Sequence, residues 1–327
     1  NSRILVTDGH DPAALGVVRA LGRAGHQVVV SHLAGDATPA CLSSRYCSGG
    51  RIQPDAGKRQ TEFCSWLAER AGKEGLAAVV PISAATRAAC ADQRGELPDS
   101  LLLLISAAGG FPLPNDRPGW FRIALNTGIP VPKVWVPRGS EGWSQDVRGE
   151  SIKSDALQFP AVLRIERRQD YSGPYLPGRT YFCASLEELD CVLDAVTRRN
   201  HSISVQEYLP GRSEFALLLR HQGNVRMQFA YQPIPGEPRW GSAATRFEAV
   251  ENASLFRDAS RLLEACGYEG LAGLEFRYDK NGRRCFVSVE PNPWPGAVVA
   301  LDAGLNFPGA WLELLQGEPA SRPRQEM

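Results

Sequence analysis

Two carboxylates and an amide are the residues of this sequence best suited to chemistry. Glu275 lies in LAGLEF (271–276), and Glu290 and Asn292 end VSVEPN (287–292). Between them, RYDKNGRRCF turns at Lys280–Asn281–Gly282, so the two segments read as strands of one hairpin. Three prolines, Pro291, Pro293 and Pro295, stop the second strand. A strand needs no acid at its end, so Glu290 calls for a reason beyond folding. Side chains two apart on a strand share a face, which puts Glu290 and Asn292 together. Counting back through the turn, with one or two residues of latitude in register, brings Glu275 near them. Two carboxylates and an amide oxygen suit one or two hard cations, with substrate phosphates and water completing the shell. Without a cation the acids would repel each other.

These residues need a scaffold, and the apolar patterning supplies one. RILVTDG, DPAALGVVRALGRAGH and QVVVSHL read as strand, helix and strand, with Asp11 as N-cap, Pro12 at the first helical position and Gly25 closing the helix. RQTEFCSWLAERAGKEG is a second helix leading to the strand AAVVPIS. Strand–helix–strand units of this kind build an open parallel sheet. AAGGFPLPNDRPG (107–119) marks a boundary, and WFRIALNTG opens the next unit with a helix. FPAVLRIERR is a strand. SLEELDCVLDAVTRRN is a helix with Ser185 and Glu188 forming a capping box. The strand HSISVQEYLPG breaks at Pro210–Gly211, and a hairpin follows that turns at Gln222–Gly223–Asn224. ASLFRDASRLLEACGYEG is a helix leading into the Glu275 hairpin.

Composition narrows the classes of partner. Lys plus Arg and Asp plus Glu number 36 each, without the basic excess of a general nucleic-acid or membrane-surface binder. The longest apolar run, LLLLI (101–105), is far too short to span a bilayer. The chain opens on a strand, so no signal peptide is expected. Eight scattered cysteines without a CxxC pair are expected to be reduced thiols, as in a cytoplasmic protein. TDGHDPAALG lacks the G-x-G-x-x-G of a dinucleotide site. His10 reads as a loop histidine, and Trp120 and Trp240 as packing residues. Trp294 is a candidate wall for a substrate pocket. No serine stands in a nucleophile-elbow context.

The order of elements after residue 110 and several motifs resemble the ATP-grasp ligases. GYEGLAGLEFRYDKNGRRCFVSVEPNPWPG is similar to the family's metal hairpin, which implies Glu275, Glu290 and Asn292 as ligands of one or two Mg²⁺, or Mn²⁺. SVQEYLPGRSEF resembles the hinge strand. This implies that the backbone of Glu207, Tyr208 and Leu209, with Gln206 beside it, binds the adenine of ATP, and that Glu214 accepts the ribose hydroxyls. Where the family carries two phosphate-binding lysines, this chain has Arg117 and Arg164; arginine stays cationic and can hold phosphate bidentately. The loop Arg168 to Arg179 corresponds to the phosphate lid. The arginine that often follows E-x-N is replaced by Trp294. The arginine that D-alanine–D-alanine ligases place two residues before the first metal acid is Gly273 here. Arg246, Arg239 and Arg277 are the candidate replacement cations. ALDAGLNFPGAWLELL and the N-terminal ILVTDG segment extend the resemblance to nearly the whole chain.

The resemblance implies a mixed α/β and α+β fold: an N-terminal open parallel-sheet domain (pre-ATP-grasp, Rossmann-like) followed by a two-subdomain ATP-grasp fold. The expected division is 1–110, 111–204 and 205–327. The implied activity is ATP-dependent ligation of a carboxylate to an amine or thiol through an acyl phosphate, releasing ADP. Small-molecule carboxylate and amine substrates, an amino acid among them, and a homodimer go with it. The competing expectation is a nucleotide-binding module that has lost ligase activity.

Overall fold

Short β-branched runs with helices between them set the first layer. The computed structural model describes residues 1–35, 38–108, 117–137, 143–145, 150–152, 157–167, 179–194, 201–234 and 246–318. Strands β1 (Arg3–Val6), β2 (Gln27–Leu33), β3 (Cys47–Gln53), β4 (Ala78–Val80) and β5 (Leu102–Leu103) form a sheet in the order β3-β2-β1-β4-β5, with every pairing parallel. Helix α1 (Pro12–Arg23) begins as its sequence predicts, Asp11 accepting the Ala13 amide at 2.8 Å with Pro12 in the first turn. Helices α2 (Gln60–Glu74) and α3 (Ala84–Asp92) complete the layer. Side chains of β1, β2 and β4 point alternately into two apolar clusters, one on each face.

One surface feature of this layer carries a pH signature. The Glu74 carboxylate is gripped by Arg51 at 2.7 and 2.8 Å, with Arg3 at 3.2 Å and Arg70 at 3.5 Å. The Arg51 hydrogen bonds hold its pKa below the ordinary value against the opposing effect of burial, with the charges of Arg51 and Arg3 and the Arg70 hydrogen bond acting the same way. A depressed carboxylate stabilises the fold above its unfolded pKa, and that contribution disappears as pH falls through the folded value. Glu74→Gln is therefore expected to lose about 1–2 kcal/mol at neutral pH. In urea titrations the difference from wild type should vanish at the acidic end; a constant difference at every pH would contradict the ion-pair account.

After β6 (Ala107–Ala108) and α4 (Arg117–Asn126) comes an antiparallel sheet. It comprises β7 (Val134–Pro137), β8 (Trp143–Gln145), β9 (Glu150–Ile152), β10 (Ala161–Arg167), β11 (Arg179–Cys183) and β12 (His201–Glu207), in the order β11-β10-β12-β7-β8-β9. Helix α5 (Leu186–Asp194) has the expected cap, with Ser185 Oγ accepting the Glu188 amide and Glu188 accepting that of Ala184. It buries Leu189 and Leu193 against Ala161, Leu163, Ile165 and Val205, which occupies one face of the sheet. Val162, Arg164, Ser204 and Gln206 alternate onto the other face.

The third sheet runs β15-β14-β13-β16-β17 and comprises β13 (Ser213–His221), β14 (Asn224–Pro233), β15 (Phe247–Ala249), β16 (Tyr268–Tyr278) and β17 (Arg284–Pro291), with β6 paired to β16. Both hairpins turn where the sequence indicates. Gln222 and Gly223 have φ of 53° and 75°, and Gly282 has 76°. Helix α6 (Ala253–Ala265) and α4 cover one face through Ala216, Leu218, Leu274, Phe276 and Phe286. On the opposite face, Leu217, Leu219 and Leu271 pack with α1, α7 (Trp294–Asp302) and α8 (Phe307–Leu315). Helix α7 lies so close to α1 that a Cβ on Gly16 would stand 2.1 Å from Val298 Cγ2. The N- and C-terminal parts of the chain therefore share one core.

Trp294 belongs to that core. It is 1% exposed, its indole N–H donates to the Pro81 carbonyl at 3.1 Å, and its ring lies 6.0 Å from Trp311. The expectation that it walls a substrate pocket is corrected: a ring buried on all sides offers no surface to a ligand. Trp120 packs as expected, and Trp240 lies outside the described residues. All eight cysteines are free thiols, and only Cys191 is exposed. No single helix among the described residues is long and apolar enough to cross a membrane.

Candidate functional site

Register settles what strand counting left open. Glu275 pairs with Ser288 and Gly273 with Glu290. Directly paired residues share a face in an antiparallel ladder, so Glu275, Ser288 and Glu290 stand on one face, the two acids diagonal to each other. Glu275 accepts hydrogen bonds from Ser213 Oγ at 3.1 Å and Ser288 Oγ at 3.3 Å. These are neutral hydroxyl donors that can rotate away from an arriving cation. Gly273 lies under Pro293, whose Cβ would be 2.8 Å from any Cβ built there. No arginine fits at that position.

Glu290 keeps 63% of its side-chain surface open, and Arg87 Nη2 lies 3.4 Å from its Oε1. Protein surrounding the carboxyl pushes its pKa above the ordinary value by desolvation, while Arg87 and Arg117 pull it down. Since most of the side chain still meets solvent, the exposure governs its availability to a ligand and the desolvation is a modest correction. Arg117 is held by a bulge. The register slips between Glu275 and Phe276, and the Val287 carbonyl accepts Arg117 Nη1 at 2.6 Å. No local pattern signals Arg87, because α3 is remote in the chain and enters the site only through the tertiary fold.

Asn292 departs from the strand-alternation argument. Pro291 is the last strand residue, and Asn292 has φ 54°, which turns its side chain away from the Glu290 face. It is 2% exposed, its Oδ1 accepting the Ser106 amide at 2.9 Å and its Nδ2 donating to the Leu104 carbonyl at 2.7 Å. The amide fastens the hairpin to the segment after β5. As packed here it has no side-chain atom to offer a cation.

The hinge lies at the other end of the hairpin. Glu207 and Lys133 exchange hydrogen bonds, the Glu207 amide to the Lys133 carbonyl at 2.9 Å and the Lys133 amide to Glu207 Oε2 at 3.2 Å. Tyr208 meets Phe182 edge-on at 5.3 Å, and the Arg277 guanidinium lies over its ring at 5.4 Å. Arg277 also donates to the Gly211 carbonyl at 3.0 Å. It therefore braces the hinge and lies away from Glu290. Leu209 packs with Cys285 and Val287. Gln206 is 3% exposed and its Oε1 accepts no hydrogen bond. A buried orphan acceptor beside a hinge suits an amino donor such as that of adenine. On the same sheet face Arg164 donates to Thr180 Oγ1 at 2.8 Å.

Glu214, for which the hinge resemblance implied a ribose role, is buried among protein partners. It pairs with Phe276 on the α6 face, is 2% exposed, and accepts Arg212 at 2.9 Å, Asn252 at 3.0 Å and the Tyr278 hydroxyl at 3.1 Å. Those three bonds fill most of its acceptor capacity, so two ribose hydroxyls would have to displace one of these partners. Arg246 is exposed, and among the described residues its side chain meets neither Glu275 nor Glu290. Arg239 and residues 168–178 of the expected lid lie outside the described residues. His10 is exposed, with its ring edge-on to His32 at 5.5 Å.

The donors present fit a divalent cation as a two-carboxylate site. Hard cations of the magnesium type take one or two protein carboxylates, the remaining positions going to phosphate and water. Among the described residues no group of three or more His, Cys, Asp or Glu gathers for a metal.

No family model and no curated protein matches the chain. Solved structures do. An L-amino acid ligase from Bacillus licheniformis superposes on 96% of this chain and 73% of its own, with TM-score 0.64 and 14% identity. A biotin carboxylase from Campylobacter jejuni, in complex with β,γ-ATP, covers 99% of this chain and 72% of its own, with TM-score 0.66 and 14% identity. N5-carboxyaminoimidazole ribonucleotide synthetase from Thermotoga maritima covers 99% and 78%, with TM-score 0.59 and 14% identity. Likeness at such identities is a likeness of fold, and the chain has the ATP-grasp fold.

Proposed function

We propose that this protein is an ADP-forming ligase that uses ATP to join a carboxylate to an amine, or a thiol, through an acyl phosphate. One observation carries the reading: the hinge and the open carboxylate mark opposite ends of one strand. Leu209 packs on Cys285 of β17, and Glu290 lies five residues further along it. At about 3.3 Å per residue they are roughly 17 Å apart, the scale of an extended nucleoside triphosphate. Adenine would lie at Gln206–Leu209 and the phosphates along Arg164 and Arg117, reaching Glu275 and Glu290. Those two acids would hold Mg²⁺ or Mn²⁺, which when bound offsets phosphate charge and orients the oxygens. The chain's own part is to position the reactants and exclude water, since an acyl phosphate hydrolyses readily. The three-part division at 110 and 204, a cytoplasmic location, a homodimer and an amino-acid substrate belong to the same proposal.

A nucleotide-binding module without turnover is the second reading, motivated by arginines in place of both phosphate lysines and the missing arginine after E-x-N. Calorimetric titration with Mg·ATP, followed by ADP release across a panel of amino acids and small carboxylic acids, separates the two. Saturable Mg·ATP binding with acceptor-dependent ADP release is the expected result. Binding with no release on any acceptor favours the module, and no binding at all sinks both.

A further inference from the structure

Arg277 braces the hinge, whereas a cation from the N-terminal layer, Arg87, stands against one of the metal acids. Among the described residues Arg87 is the one side chain ion-paired to Glu290. Its own side chain is 13% exposed, and its placement is built in several steps. One guanidinium nitrogen donates to the Ile82 carbonyl at 2.5 Å, just beyond β4. The α3 turn that carries it is capped by Ser83, which accepts the Thr86 amide at 3.2 Å. The neighbouring Asp8, at φ 56°, accepts from Thr86 Oγ1 at 2.7 Å, the Ser83 amide at 2.9 Å and Gln53 Nε2 at 3.0 Å. Asp8 and Ser83 follow β1 and β4, adjacent central strands of the sheet from which the chain winds in opposite directions. Ligands of open α/β sheets gather at the carboxyl ends of such strands. The guanidinium is thus anchored through one terminal nitrogen, and the other is aimed at an exposed carboxylate.

We propose that Arg87 contacts the terminal phosphoryl group of the bound nucleotide, a role that rests on the nucleotide reading above. Glu290 lies at the end of β17 farthest from the hinge, so a triphosphate running from Gln206 brings its last phosphoryl group to this end. Arg117 flanks the same carboxylate, so two guanidiniums stand beside Glu290, and either can turn to an anion brought up to it. Arg87 can exchange its 3.4 Å contact with Glu290 for phosphoryl oxygens while its other terminal nitrogen stays on the Ile82 carbonyl. The guanidinium then supplies from the N-terminal layer the charge that Gly273 and Trp294 do not.

The test compares Mg·ATP with Mg·ADP by titration calorimetry in wild type, Arg87→Met, Arg87→Lys and Arg87→Gln. Glutamine keeps a donor for the Ile82 carbonyl without the charge, so it covers the case in which Arg87→Met folds poorly. The expected result is about tenfold weaker Mg·ATP binding in Arg87→Met and Arg87→Gln, with Mg·ADP changed less than about threefold. Arg87→Lys should retain part of the preference for ATP. An unchanged ATP-to-ADP affinity ratio in both uncharged variants overturns the assignment of Arg87 alone. A wild-type protein that binds neither nucleotide overturns the reading beneath it.

Discussion

Glu290→Gln is expected to reduce acceptor-dependent ADP release by about 10²–10³-fold while leaving the melting temperature within about 2 °C of wild type. The two halves of this expectation have separate causes. Glutamine is nearly isosteric, and Glu290 is an exposed side chain whose one ion pair among the described residues, with Arg87, is long at 3.4 Å. Removing its charge therefore takes little from the fold. A neutral amide, however, is a weak partner for a hard cation and leaves Arg87 and Arg117 without their shared counter-ion. Glu275→Gln should behave similarly in ADP release, with some loss of the order supplied by Ser213 and Ser288. ADP release from Glu290→Gln at the wild-type rate would remove the carboxylate from the mechanism. A large drop in its melting temperature would mean that its role is structural.

Asn292 should show the reverse pattern. Asn292→Ala removes one donor and one acceptor that a buried side chain supplies to the backbone at Leu104 and Ser106, and leaves those two groups without partners. It also places alanine at a φ of 54°, which asparagine tolerates better. Together these amount to about 2–4 kcal/mol, or about 5 °C or more in melting temperature before any ligand is added. Asn292→Asp sharpens the distinction. Aspartate is a better ligand for a hard cation than asparagine, so a residue whose sole task were metal binding would accept it. In the observed pocket one carboxylate oxygen would face the Leu104 carbonyl, and stability should fall. If Asn292→Asp is as stable as wild type and binds Mg·ATP more tightly, the fastening role is wrong and the amide turns toward the metal when nucleotide is bound.

The secondary elements followed from sequence because their signals are local. Asp11–Pro12, the Ser185–Glu188 box, and the turns at Gln222–Gly223 and Gly282 each act within a few residues, and each was realised. Counting through the turn likewise brought Glu275 near Glu290, and the observed register, with its bulge, puts the two on one face. Alternation failed at Asn292, where a positive φ breaks the count from Glu290. Glu214, whose ribose role the hinge resemblance implied, faces α6 instead. In both places a polar side chain was taken up by neighbours that no local pattern reveals, α6 and Tyr278 for one and the segment after β5 for the other.

By itself, then, the sequence determined a parallel α/β layer and two β-hairpins, one of them carrying two acids, because helix caps, turn glycines and apolar periods are short-range. Only the tertiary structure decided which cation stands against Glu290, that Pro293 occupies the space above Gly273, and that Trp294 is core. Those outcomes depend on α1, α3 and β4 meeting a hairpin some two hundred residues away, as in the 203-residue separation of Arg87 and Glu290. Packing between distant segments follows the shape of the whole core, which no window of sequence contains.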